Sequence, residues 1–349
     1  MKKVLLSIAA LALSATTAFG QYYHLAAGSG NPGNANSEDS EYPYGSGLPA
    51  GWSSIVGAGQ TLGTYSSAQT IPFTFLFNGD TVNTYRVSNT GILTFSNVAS
   101  PASHSGATAA ALTSSTIPDS SICVLGINGG GSNDHVTRQT FGTAPNRQEW
   151  ILFSSYSATG TSTSHWTYWS IVLEEGTNNI HIVDQRTAGW AGSVNIGVRV
   201  DATTVDEISS VSSGSTNAPD RSDNTHYTFV QGTQPEFDMA GLSVGLSPYL
   251  ALTNAPFTVA ADFVNNGTTT LTSADINYSI DGGTPVTSTV SGLSIATNGS
   301  GTVSSTTTWN PSASGTYEVK AWLSNLNGTA NDAVQSNDTA SITVQVVPA

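Results

Sequence analysis

The side chains best placed to bind something are those of His165-Trp166-Thr167-Tyr168-Trp169. On a strand, successive side chains point to opposite faces, so Trp166 and Tyr168 share one face while Trp169 joins Ile171 and Leu173 on the other. The second set is apolar throughout and reads as core. An exposed Trp166 and Tyr168, with Trp190 as a further aromatic, would form a flat platform for stacking a sugar or a peptide. The alternative is a central strand buried on both faces, one of them under a loop.

Carboxylates offer two other chemistries. Glu38, Asp39 and Glu41 place three acids within four residues of a Gly/Asn/Ser loop, a set of hard oxygen donors that could hold a structural calcium ion. The loop lacks the DxDxDG rhythm, so a solvated acidic loop is the competing reading. The stretch NGGGSND at 128–134 is a second loop of this kind. Glu174-Glu175 cannot form a glycosidase pair with each other, because neighbours on a strand face opposite ways. They read as a strand end and hairpin mouth. A hydrolytic site would have to be assembled from distant acids such as Glu149 and Glu174.

Other catalytic patterns are missing. The six histidines show no HExxH or H-x3-H spacing, and no G-x-S-x-G elbow occurs. Cys123 is the single cysteine, so no intrachain disulfide is possible; within Ile122-Cys123-Val124-Leu125 it reads as a buried strand residue. Apart from the calcium loop, nothing calls for a cofactor.

The elements that must position these groups are strands. Ile71, Phe73, Phe75 and Phe77 alternate with Pro72, Thr74 and Leu76, a period of two with one face in a core. Asn78-Gly79-Asp80 turns the chain, and a second strand follows, broken at Asn89-Thr90-Gly91. Further strands are expected over 22–25, 122–127, 148–156, 166–174, 179–185, 193–200 and 226–230, with a long surface loop after the first. Residues 99–117 read as a loop, or as one short helix at 107–112. Charged residues make up only 9% of the chain and Ser plus Thr about a quarter, which suits exposed strand faces and turns rather than helices.

The chain opens with Lys2-Lys3, an apolar run over 4–15 and Ala18-Phe19-Gly20, the pattern of a secretion signal over 1–20. The apolar run is short for a membrane span, and no later stretch approaches the roughly 20 apolar residues required. A net charge of −14 argues against nucleic acid and anionic membrane surfaces as partners. The expected organisation is all-β: a jelly-roll or lectin-like sandwich over 21–231, a linker at 232–236, and an immunoglobulin-like sandwich over 237–349. The second sandwich rests on alternation at 257–263, 276–280, 303–309, 317–323 and 342–346, with the hairpin turn Asp281-Gly282-Gly283.

FVNNGTTTL (263–271), INYSIDGGTPV (276–286), TTTWNPSASGTYEVKAWL (306–323) and SNDTASITVQV (336–346) resemble the CARDB-type, cell-adhesion-related bacterial immunoglobulin-like module. IPFTFLFNG (71–79), VSNTGILTF (87–95), RQEWILFSSY (147–156) and WSIVLEEGTNNIHIV (169–183) resemble the lectin-like or nidogen-like sandwich of secreted Bacteroidetes surface proteins. Both resemblances imply an exported, non-enzymatic adhesion or binding protein at the cell surface or in the medium. Its first sandwich would meet an extracellular glycan or protein ligand, with the second as spacer. The alternative is a carbohydrate-binding accessory region of a larger secreted hydrolase.

Overall fold

The computed structural model describes residues 21–348 except 34, 37–47, 49, 63–64, 98–109, 158–164, 191, 217–220 and 329–330. The expected secretion signal and the acidic loop carrying Glu38, Asp39 and Glu41 lie outside the described residues. Among those described, every regular element is a strand except two three-residue 3-10 turns, so the all-β expectation holds.

Two sheets form the first sandwich. The larger runs β1 (Tyr22–His24), β14 (Thr225–Gln231), β11 (Ile180–Ala188), β10 (Trp166–Glu174), β9 (Asn146–Tyr156), β8 (His135–Thr143) and β3 (Ser53–Val56); β2 (Gly28–Ser29) adds to β14. The smaller runs β13 (Val205–Ser212), β12 (Ser193–Arg199), β7 (Ser121–Leu125), β6 (Ile92–Thr94), β5 (Asp80–Val87) and β4 (Gln69–Phe77). The four alternating residues Ile71, Phe73, Phe75 and Phe77 enter the core between the sheets, with Leu93, Ile122, Ile151, Trp169, Ile171 and Phe229. Pro72 is tolerated because β4 is an edge strand, where a missing N–H breaks no ladder, and the β4–β5 register shifts between Thr70 and Phe75. At the break after β5, Ser88 Oγ accepts from the N–H groups of Thr90 and Ile92. Gly91 has φ +76°, and a Cβ there would stand 2.0 Å from the Val124 carbonyl oxygen, so glycine is required.

Among the longer strands of the first sandwich, three depart from the expectation. β3, β8 and most of β13 are polar or half-exposed and present little apolar alternation to read. The expected surface loop after β1 also differs. Its described part lies as a strap across the outer face of the larger sheet, with Asn36 buried. No helix occurs at residues 110–112, the described part of 107–112.

The second sandwich packs a three-stranded sheet, β15 (Met239–Val244), β17 (Ala260–Asn265) and β20 (Ser300–Ser304), on a five-stranded one. The latter runs β16 (Tyr249–Ala251), β22 (Ala340–Val347), β21 (Gly315–Ser324), β18 (Leu271–Ile280) and β19 (Val286–Ile295). β16 and β22 pair in parallel, while the other pairs are antiparallel. Its core gathers Phe263, Ile276, Tyr278, Trp309, Val319 and Leu323. Among the described residues, no ladder joins the sheets of one sandwich to those of the other.

Candidate functional site

The expected aromatic platform is not formed. Trp166 and Tyr168 do share the outer face of the larger sheet, but Tyr168 is only 5% exposed and Trp166 is half-buried. They join Trp52, Trp150, Leu152, Val172 and Val183 in a second apolar layer. The physical reason is the roof supplied by the segment preceding β3. Trp52 meets Phe141 edge-on at 5.9 Å, and Phe141 meets Trp150 at 6.1 Å. The Tyr168 hydroxyl shares a 2.9 Å hydrogen bond with Ser155 Oγ, satisfying its polar tip. Trp190, 9% exposed, belongs instead to the core between the sheets, so the three aromatics are not brought together. Trp169 faces that core as expected, its indole N–H donating to Thr167 Oγ1 at 2.9 Å.

The strap is held by a polar network on the same outer face. Gln148 donates to the Pro32 carbonyl at 3.1 Å and to Glu174 at 3.0 Å. His226 Nδ1 lies 2.9 Å from the Gly30 carbonyl, and a Cβ on Gly28 would collide with the His226 ring at 2.3 Å. Burial lowers the His226 pKa below its ordinary value, the Gly30 carbonyl opposes this, and His181 adds to the lowering. The Glu174 carboxylate is resisted by burial but receives His181 Nε2 at 3.6 Å, Thr177 and Gln148. The balance brings its pKa down to about 2.

No acid pair for glycoside hydrolysis is assembled from Glu149 and Glu174. Glu149 points into the sandwich, accepting from Tyr85 of the facing sheet at 3.1 Å, from Arg138 at 3.2 Å and from Thr140 at 2.6 Å. Glu174 lies on the outer face with Gln148 and His181, so the sheet stands between the two. Burial raises the Glu149 pKa against the lowering effect of its donors. Glu175 takes a two-pronged ion pair from Arg147, at 2.7 and 2.6 Å, as its hairpin reading implies.

Among the described residues, no three His, Cys, Asp or Glu side chains are placed to share a metal ion. In the loop 128–134, the Asp134 carboxylate accepts the N–H groups of Gly130 and Gly131 at 2.9 and 2.7 Å, closing the turn on itself. Cys123 is buried, and burial raises its thiol pKa far above the ordinary range.

Sequence reasoning missed a cavity of about 450 Å³ where β1, the turn between β12 and β13 and residues 232–234 meet. At its wall, His24 Nδ1 lies 2.8 Å from Asp206 Oδ1. The two residues are 182 positions apart and belong to edge strands of different sheets, so no local motif announces them.

These structural features have counterparts in known proteins. The NIDO-related family model matches residues 51–238, more than half of the chain, and the chain belongs to that family. Among solved structures, it is similar to a CARDB domain from Pyrococcus furiosus determined in complex with di-metal ions. That match has 20% identity and a TM-score of 0.27, covering 34% of this chain and 99% of that one. It is similar too to the 272–376 domain of a cell surface protein from Methanosarcina acetivorans, at 22% identity and a TM-score of 0.27, covering 33% of this chain and 94% of that one. No curated protein matches the chain.

Proposed function

We propose that the protein works outside the cell as a non-enzymatic adhesion or binding protein. Residues 1–20 direct export, the sandwich over 21–231 presents the ligand surface, and the immunoglobulin-like domain over 237–349 spaces it from what it is attached to. Membership in the NIDO-related family carries this reading. The resemblance of 263–346 to cell-adhesion-related modules supports it. So does the way Glu149, Glu174 and Glu175 are each engaged by structural donors and kept apart rather than converging on one space. Among the described residues, no helix is long and apolar enough to cross a membrane. The ligand is an extracellular glycan or protein.

The test exposes the full chain to a glycan array and to immobilised extracellular matrix proteins, with turnover of chromogenic glycosides measured in parallel. Saturable binding without turnover is expected. Hydrolysis that disappears in Glu149→Gln would overturn the reading and restore a hydrolase.

A further inference from the structure

We infer that the cavity beside β1 is a binding site for a neutral, hydroxyl-bearing ligand of one or two saccharide rings; this deepens the proposed function and rests on it. At about 450 Å³ the space falls within the roughly 300–1,000 Å³ of small-ligand sites, which favour junctions between structural units. Here the junction is between the first sandwich, residues 232–234 and Thr268 of the second.

The lining selects the ligand class. It contains no lysine or arginine, so a phosphate, sulfate or carboxylate would find no counter-charge. Its single carboxylate, Asp206, is already engaged by His24, which disfavours a cation as the main guest. What remains is threonine hydroxyls, glutamine amides and tyrosine, set beside the half-buried Val200 and Val205. A lining more polar than apolar, with one valine patch, suits a ring with polar edges and an apolar face.

His24 supplies the oriented group. Its ring packs 6.1 Å from Phe229, and its side chain is 30% exposed against 12% for Asp206. With the Asp206 carboxylate accepting at Nδ1, that nitrogen carries a proton, and Nε2 is the ring atom left to meet a ligand hydroxyl. Asp206 is thus a positioning residue for His24.

The test titrates the full chain with neutral saccharides chosen from the array, using lysine peptides and sugar phosphates as comparison arms. Three variants are measured beside it: Thr233→Trp, which fills the space from an exposed linker position, His24→Phe and Asp206→Asn. The native chain is expected to bind a neutral saccharide and not the phosphates. Thr233→Trp and His24→Phe should each weaken it by about tenfold or more, and Asp206→Asn by less, with an unchanged melting temperature in Thr233→Trp. Saccharide binding that survives Thr233→Trp unchanged would overturn the pocket while leaving the adhesion reading in place. Binding only to lysine peptides or sugar phosphates would overturn the ligand class. A chain that binds matrix proteins but no saccharide sinks this inference alone; one that binds nothing sinks both.

Discussion

The central strands of the two sandwiches handle burial in opposite ways. In the second, β21 and β22 alternate between buried and accessible positions, one face in the core and one in water. In the first, β9 and β10 are buried almost end to end, on both faces. An antiparallel sheet normally leaves one face solvated. The first sandwich departs from this because its N-terminal strap and the residues before β3 roof the larger sheet, adding an apolar layer around Trp150 and a polar network around Glu174. A two-faced strand thus marks where a domain has acquired a third layer.

The largest difference should appear when an aromatic is removed from each outer face. Trp150→Ala should cost about 3–5 kcal/mol, because Trp150 is buried under the roof and its indole N–H donates to Gln148. The half-buried Trp322→Ala, on the unroofed face of β21, should cost only about 1 kcal/mol. Denaturant unfolding followed by fluorescence measures both, and equal costs would mean that the roof contributes nothing.

A smaller effect separates inner charge from outer charge. Arg138→Met strands the Glu149 carboxylate inside the first sandwich and should destabilise it by about 3 kcal/mol. Adding Glu149→Gln should recover most of that loss in a double-mutant cycle.

The smallest effect concerns pH. The folded-state pKa of His226 is lowered from 6.5, so its stabilising contribution is complete above about pH 6.5 and is lost as pH falls through the folded value. Glu149 and Asp184, raised by burial, act in the opposite sense, so the His226 contribution is read as a difference. Between pH 7 and 5.5 the native chain should lose a few degrees of melting temperature relative to His226→Asn. Parallel curves for the two proteins would remove His226 from the strap's fastening.

How much of this was legible in the sequence follows from the same contrast. Ile71, Phe73, Phe75 and Phe77, and the alternation at 317–323, each report one buried face, and their strands formed where the period of two places them. The fate of Tyr168 was not legible, because alternation says which face a residue takes and is silent on what lies over that face. The cover over Tyr168 comes from Trp52, just before β3, while the strap at 28–36 is fastened through backbone carbonyls that accept from side chains more than a hundred residues away. β8 and β13 escaped because most of their residues are polar or half-exposed and carry little alternation to read. The His24–Asp206 pair depends wholly on two edges meeting at the end of a sandwich.

The pairing of β1 with β14 has a consequence for the order of folding. Tyr22 faces Gln231 across that ladder, 209 positions along the chain. The strap fastens to Asn224, Arg221 and His226, all close to β14. A chain emerging N-terminus first therefore carries its first strand unpaired until β14 has appeared. Loop-closure cost and slow topology both weigh on that step. The pairing of β1 comes late in the first sandwich, whereas the second can begin with the short hairpin of β18 and β19. A chain stopped before β14 would lack the His226 fastening of its strap and leave its first strand unmated.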